Sequence, residues 1–171
     1  MNHVVEYWDL FDENRNLTGK IHQRGTPISD GFYHIVIHSW IVNSQNQIVL
    51  TKRHPNKPFP NLWECSGGSI LAGEESLEGA IREVKEEIGI ELNKDEGKLL
   101  FSHCRKPHHD FYDVWLFKYE IDLSKVILQE GEVTEIKLVS PDELIKMSEL
   151  GQLVPTLSYM VELIKEGKLS Y

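Results

Sequence analysis

Cysteine is scarce in this sequence: Cys65 and Cys104 are its two cysteines, and they form no CxxC pair. That excludes a disulfide-stapled secreted scaffold and a four-cysteine zinc site. Nowhere do the ~18 consecutive apolar residues of a membrane span occur. The opening MNHVVEYWDL has neither the basic nor the apolar segment of a signal peptide. We therefore expect a cytoplasmic protein with reduced thiols and no membrane partner. Basic residues are in the minority, with 18 Lys and Arg against 27 Asp and Glu and a formal charge of −9. Such a chain repels polyanions, so a nucleic acid polymer is not an expected partner. A small phosphorylated substrate remains compatible, because a bound metal can supply positive charge locally.

Also missing are repeats, low-complexity tracts and linker-like segments. The 171 residues, 40% of them apolar, are enough for one domain spanning 1–171 with one sizeable core. VVEYWDLFDENRNLTGKIHQRG reads as a hairpin turning at DENRN, within an N-terminal segment 1–31. YHIVIHSWIV is rich in β-branched and aromatic residues and is expected to be a central strand. NSQNQ turns the chain into IVLTKR, its expected antiparallel partner. HPNKPFPNL is a proline-rich loop, and WECSGG leads out of it. GKLLFSHC and FYDVWLFKYEI are strands joined by RKPHHD, and VTEIKLVS is a last strand, all within a core of 32–150. Ser140, Pro141 and Glu143 spell a helix N-cap, first position and capping box. A C-terminal helix is expected over 153–167. Strands, a helix, strands and then helices predict an α+β domain, an α/β/α sandwich with a mixed central sheet and an N-terminal β-hairpin.

The helix after SGG carries an unusual load. Leu77, Ala80, Ile81, Val84 and Ile88 make one apolar stripe. Glu83, Glu86 and Glu87 crowd another face, where like charges three and four residues apart repel. They also lie late in the helix, where its dipole disfavours negative charge. A solvated acidic face is one reading. The other is a set of hard oxygen ligands for Mg²⁺, whose charge would relieve the repulsion. Gly67 and Gly68 allow close approach of a ligand to the backbone.

Gly68, Glu74, Arg82, Glu83, Val84, Glu86, Glu87, Gly89 and Ile90 match, without departure, a spacing that resembles the signature of the Nudix hydrolase superfamily. The resemblance implies the Nudix fold and divalent-metal-dependent hydrolysis of a pyrophosphate bond. Its substrate would be a nucleoside di- or triphosphate or a nucleoside diphosphate derivative, with Mg²⁺ (or Mn²⁺) as cofactor. It implies that Glu83, Glu86 and Glu87 are metal ligands, with the Gly67 carbonyl as a fourth. Arg82 would orient a glutamate. Glu74, expected in the first helical turn, would be structural, as would Gly68 and Gly89. Glu83 and Glu87 are expected to be catalytic, and the general base stays open between Glu83 itself and a loop acid before the last strand, Glu130 or Glu132 ahead of Glu135. Lys52, Arg53 and Lys57 are candidates for the phosphates, Arg53 in bidentate fashion. His34, Val36, His38 and Trp40 share one side of their strand, and His34 is a further candidate substrate ligand. His108, His109, Asp110 and Asp113 read as a polar loop rather than a metal site.

Residues 4–120 also resemble the isopentenyl-diphosphate isomerase branch of this fold, which moves a double bond by proton transfer. That branch places a catalytic cysteine where this chain has Gly67, and a metal-binding histidine where it has Ser69. His34 matches another of its metal histidines, and Asp113 meets one position of its paired glutamates. Loss of the other isomerase residues beside an intact hydrolase signature favours hydrolysis. A nucleotide-sensing domain without catalysis is a third reading, disfavoured because every acid of the signature is present. Composition does not fix the oligomeric state, and a homodimer is compatible with it.

Overall fold

In a computed structural model, which describes residues 4–169, the chain opens with the expected hairpin. The ends of the expected hairpin and domain, residues 1–3 and 170–171, lie outside the described residues. Strands β1 (Tyr7–Phe11) and β2 (Leu17–Gln23) pair antiparallel. Their turn forms because the Asp12 carboxylate accepts the backbone N–H groups of Asn14 and Asn16, at 2.9 and 2.8 Å.

The main sheet holds β3 (His34–Val42), β4 (Ile48–Arg53), β5 (Trp63–Glu64), β6 (Ser66–Ser69), β7 (Gly97–Arg105), β8 (Asp110–Lys118) and β9 (Val133–Val139). The order is β5-β4-β3-β8-β7, with β6 also paired to β3 and β9 to β4. The sheet is mixed because β3 and β8 run parallel, while the other pairs are antiparallel. Helix α1 (Ser76–Ile88) covers one face; α2 (Pro141–Glu149) and α3 (Ser158–Lys165) cover the other. β3 feeds both cores by simple alternation. Ile35, Ile37 and Ile41 pack with Ala80, Val84 and Ile88 of α1. Trp40 and Val42 pack with Leu144 of α2 and Met160 of α3. Each fully buried aliphatic side chain contributes about 1.5–3 kcal/mol, so α1 is anchored well beyond its own helix propensity.

Four local expectations need correction. β3 and β4 do pair antiparallel, but only at Val42↔Ile48. Beyond that point they part: β6 takes the place beside β3, and β9 and β5 flank β4. WECSGG, expected as a connection, supplies β5 and β6. Glu74 lies outside α1, whose N-cap is Glu75, with Glu78 completing a capping box. The C-terminal helix is shorter than 153–167, because Pro155–Leu157 forms a separate 3₁₀ turn before α3. The α2 capping box is as expected, with Ser140 and Glu143 exchanging hydrogen bonds.

The hairpin is fastened to the sheet and to the approach to α1. Arg15, at the turn, donates to both oxygens of buried Asp113 at 2.7 and 2.5 Å. Ala72 N–H donates to Tyr7 O at 2.8 Å, and Gly73 N–H to Asp9 Oδ2 at 2.7 Å.

Candidate active site

Glu83, Glu86 and Glu87 occupy the last two turns of α1, beside Gly67 and Gly68 of β6. Gly68 is glycine because Glu83 packs directly on it: a Cβ there would overlap the carboxylate. Gly67 is equally constrained, since its Cβ would lie 2.6 Å from Ile37 O on the paired strand. Arg82 ties the acids together. It donates to Glu74 Oε1 at 2.7 Å and Oε2 at 3.0 Å, to Glu83 Oε1 at 3.0 Å, to Glu86 Oε2 at 3.2 Å and to Ser69 O at 3.1 Å. Arg82, expected to orient a glutamate, thus contacts three of them, with Glu74 held through both oxygens.

Burial sets the electrostatics. Glu87 is 5% exposed. Desolvation, with the charges of Glu64 and Glu83, pushes its pKa up to about 8. Desolvation raises Glu83 to about 7 against the opposing pull of Arg82. In both, desolvation outweighs the nearby cations, Arg82 for Glu83 and Lys57 for Glu87.

The three acids, Lys57, Gln129 and Glu132 line one polar cavity of about 200 Å³. Lys57 and Glu132 are in direct ion-paired contact. The loop before β9 is placed by α1 itself, because Gln129 N–H donates to Glu87 O at 2.9 Å and Ile127 N–H to Ile88 O at 3.1 Å. That loop separates the two candidate bases: Glu132 faces the cavity, whereas Glu130 is exposed and outside it. Among the described residues, no three His, Cys, Asp or Glu side chains stand ready-made around one point. The donors fit a divalent cation nevertheless: three hard carboxylates on one cavity, with Glu87 buried and Glu83 half-buried.

A second cavity of about 270 Å³ adjoins the first, sharing Val36, Gly67 and Gly68. Arg53 reaches it, but its guanidinium is already engaged, with Nη1 2.8 and 2.7 Å from the Glu64 oxygens and Nε 2.6 Å from Pro58 O. A free phosphate fork at Arg53 is therefore not what the fold provides. His34 lines neither cavity; it is buried and stacked on Trp8 at 4.1 Å. His38, two positions along, does line the second cavity. The His/Asp loop disperses: Asp110 pairs with Arg105 at 2.6 Å and Asp113 with Arg15 at 2.5 Å. Lys52 pairs with Glu135 at 2.7 Å, away from both cavities.

Sequence reasoning missed Arg24 and Glu6, a hairpin ion pair at 2.8 Å on the rim of the acidic cavity. It also missed Arg105 on the second cavity. Neither sits in a local motif, so long-range folding alone reveals them. Cys65 lines the second cavity but is 4% exposed. Burial and the neighbouring Glu64 and Glu87 push its thiol up, which makes it a poor acid–base group.

Residues 32–162 match the family model of the NUDIX domain. The chain is 39% identical to a Nudix hydrolase of Listeria monocytogenes over 153 residues, 88% of this chain and 89% of that protein. Its likeness to an isopentenyl-diphosphate Delta-isomerase of Escherichia coli is 30% over 81 residues, 46% of this chain and 44% of that one. Among solved structures it is similar to DR0079 of Deinococcus radiodurans, with a TM-score of 0.73, 23% identity, and coverage of 94% and 98% of the two chains. It also resembles a bifunctional NMN adenylyltransferase/ADP ribose pyrophosphatase of Francisella tularensis complexed with AMP and a Mn ion. There the TM-score is 0.61 and the identity 18%, with 82% of this chain and 43% of that one covered. On the sequence match, the fold and the acidic helix behind Gly68, this chain belongs to the Nudix family of hydrolases.

Proposed function

We propose that the protein hydrolyses the pyrophosphate bond of a nucleoside di- or triphosphate, or of a nucleoside diphosphate derivative, with Mg²⁺ or Mn²⁺. The observation that carries this reading is the single cavity lined by Glu83, Glu86, Glu87, Lys57 and Glu132. Glu83, Glu86, Glu87 and the Gly67 carbonyl would hold the metal. When bound, it supplies charge neutralisation at phosphorus and a more acidic water. Arg82 fixes Glu83 against Gly68. Lys57 sets one positive charge on the cavity wall for a phosphate oxygen. Glu132, held by Lys57 and by the stitched loop, accepts the proton of the attacking water. The Francisella structure, complexed with AMP and Mn, supports the substrate and metal class by analogy of fold.

Two observations weigh against isomerisation. The position where an isomerase carries cysteine leaves no room for a Cβ, and Cys65 is buried with a raised pKa. The test is phosphate and nucleotide release from a panel of nucleotides with Mg²⁺ or Mn²⁺. Glu83→Gln and Glu87→Gln are expected to abolish turnover with the fold intact. Unchanged turnover in both would remove the metal-site assignment. Conversion of isopentenyl to dimethylallyl diphosphate, with no nucleotide cleaved, would reverse the reading.

A further inference from the structure

The chemistry assigned to the acids leaves the second cavity unused. His38, from β3, forms part of its wall, and the imidazole is held in one state by a relay from α3. Trp40 Nε1, which can only donate, lies 2.9 Å from Tyr159 Oη. The same oxygen lies 2.6 Å from His38 Nδ1. Tyr159 is largely enclosed, so its own O–H needs an acceptor, and His38 Nδ1 is the one its hydrogen bonds supply. His38 therefore accepts at Nδ1 and carries its proton at Nε2. No protein group takes that Nε2–H among the hydrogen bonds of the described residues. It is not sealed in the core either, where the buried unpartnered side-chain atoms are Trp8 Nε1 and His34 Nδ1.

The surroundings define what such a donor would meet. Arg105 is clamped by Asp110 through Nε and Nη2, at 2.8 and 2.6 Å, and lies over the Tyr112 ring at 4.6 Å. Arg105 lines the same cavity, and its Nη1 takes no part in the clamp to Asp110. Pro58 and Phe59 supply an apolar wall, suited to the face of a planar ring. A hydrocarbon chain would leave both donors unpaired, which costs binding. A planar ring with acceptor atoms on its edge satisfies donors and wall together.

We propose that His38 is a specificity-determining residue, whose fixed Nε2–H donates to a carbonyl oxygen or ring nitrogen of the substrate's nucleobase. The diphosphate then crosses Gly67 and Gly68, which both cavities share, toward the acids. This placement rests on the hydrolase reading above; the donor itself does not.

The experiment is nitrogen NMR of protein labelled with ¹⁵N-histidine, assigned with His38→Gln, and titrated with UMP, CMP, AMP and GMP. These mononucleotides present the base but no pyrophosphate bond to cut, so Mg²⁺ can be present. The expected result is the Nε2–H tautomer in the free protein and a shift of Nε2 with at least one mononucleotide. His38→Leu is expected to weaken that nucleotide about tenfold, the loss of one hydrogen bond. His38→Gln, which keeps an N–H donor, recovers part of it. Tyr159→Phe removes the lock and mixes the tautomers. The Nδ1–H tautomer, an Nε2 unmoved by all four mononucleotides, or unweakened binding by folded His38→Leu would each overturn the proposal. Binding with this signature but no hydrolysis of any nucleotide would refute the hydrolase reading alone.

Discussion

Glu83 rests its carboxylate on Gly68, in the space that any Cβ at that position would occupy. The neighbour that must yield is the end of a flexible side chain, so Gly68→Ala displaces the carboxylate and leaves the backbone in place. The variant is expected to melt within a few degrees of the parent. Its metal-dependent turnover falls about 100-fold, the usual penalty for a ligand misplaced by ~1 Å. Circular dichroism melts and steady-state kinetics on the same preparation check both halves.

Arg82 serves five acceptor atoms at once, on Glu74, Glu83, Glu86 and Ser69. A lysine keeps the charge but loses the planar fork. Arg82→Lys is therefore expected to lose most activity, nearly as much as Arg82→Ala. Arg82→Ala also destabilises by about 2–4 kcal/mol, because it leaves the partly buried Glu74 and Glu83 unpaired. Urea unfolding of the two variants separates loss of charge from loss of geometry.

The raised pKa values of Glu83, about 7, and Glu87, about 8, make stability depend on pH and on metal together. Their folded-state values exceed the unfolded 4.5. Their contribution is thus complete below that pH and is lost as pH rises through 7 to 8. Metal-free protein is expected to be less stable above pH 8 than near pH 5 on their account. Mg²⁺ needs the deprotonated acids, so its rise in melting temperature grows across the same interval. Melts with Mg²⁺ and with EDTA at several pH values test this, and Glu87→Gln should flatten the trend.

Asp113 is 1% exposed, and its charge is answered by Arg15 together with Ser76 and Ser102. These partners hold its pKa below the ordinary value despite burial. That stability is present above pH 3.8 and is lost as pH falls through the lowered value. Arg15→Ala is expected to cost about 3 kcal/mol, as for a buried charge left without its partner. In Asp113→Asn the same Arg15→Ala change should cost much less. A double-mutant cycle by urea unfolding measures the difference.

What the sequence discloses here follows contact range. The α1 stripe of Ala80, Val84 and Ile88, the αL stop at Gly89 and the α2 capping box are local patterns, and local physics wrote them. The acidic cluster was legible for the same reason. The parting of β3 from β4 was not, because it depends on β6 inserting beside β3 from a loop away. Glu130 and Glu132 look alike in sequence. Only the stitching of Gln129 to Glu87 puts one inside the cavity and the other outside. Arg53 looked free for phosphate until Glu64, eleven residues on, was brought against it. Glu74 was placed in the first helical turn, but Glu75 is the N-cap and Glu74 stays outside the helix, bound by Arg82.

The hydrogen bonds from Ile127 and Gln129 to the last turn of α1 also apportion rigidity within the site. The acids that would hold the metal and Glu132, which would take the proton, share one frame. The remaining walls of the two cavities come from separate parts of the chain: Pro58 and Phe59 of the 54–62 loop, the hairpin residues Glu6 and Arg24, and Val154, Thr156 and Leu157 before α3.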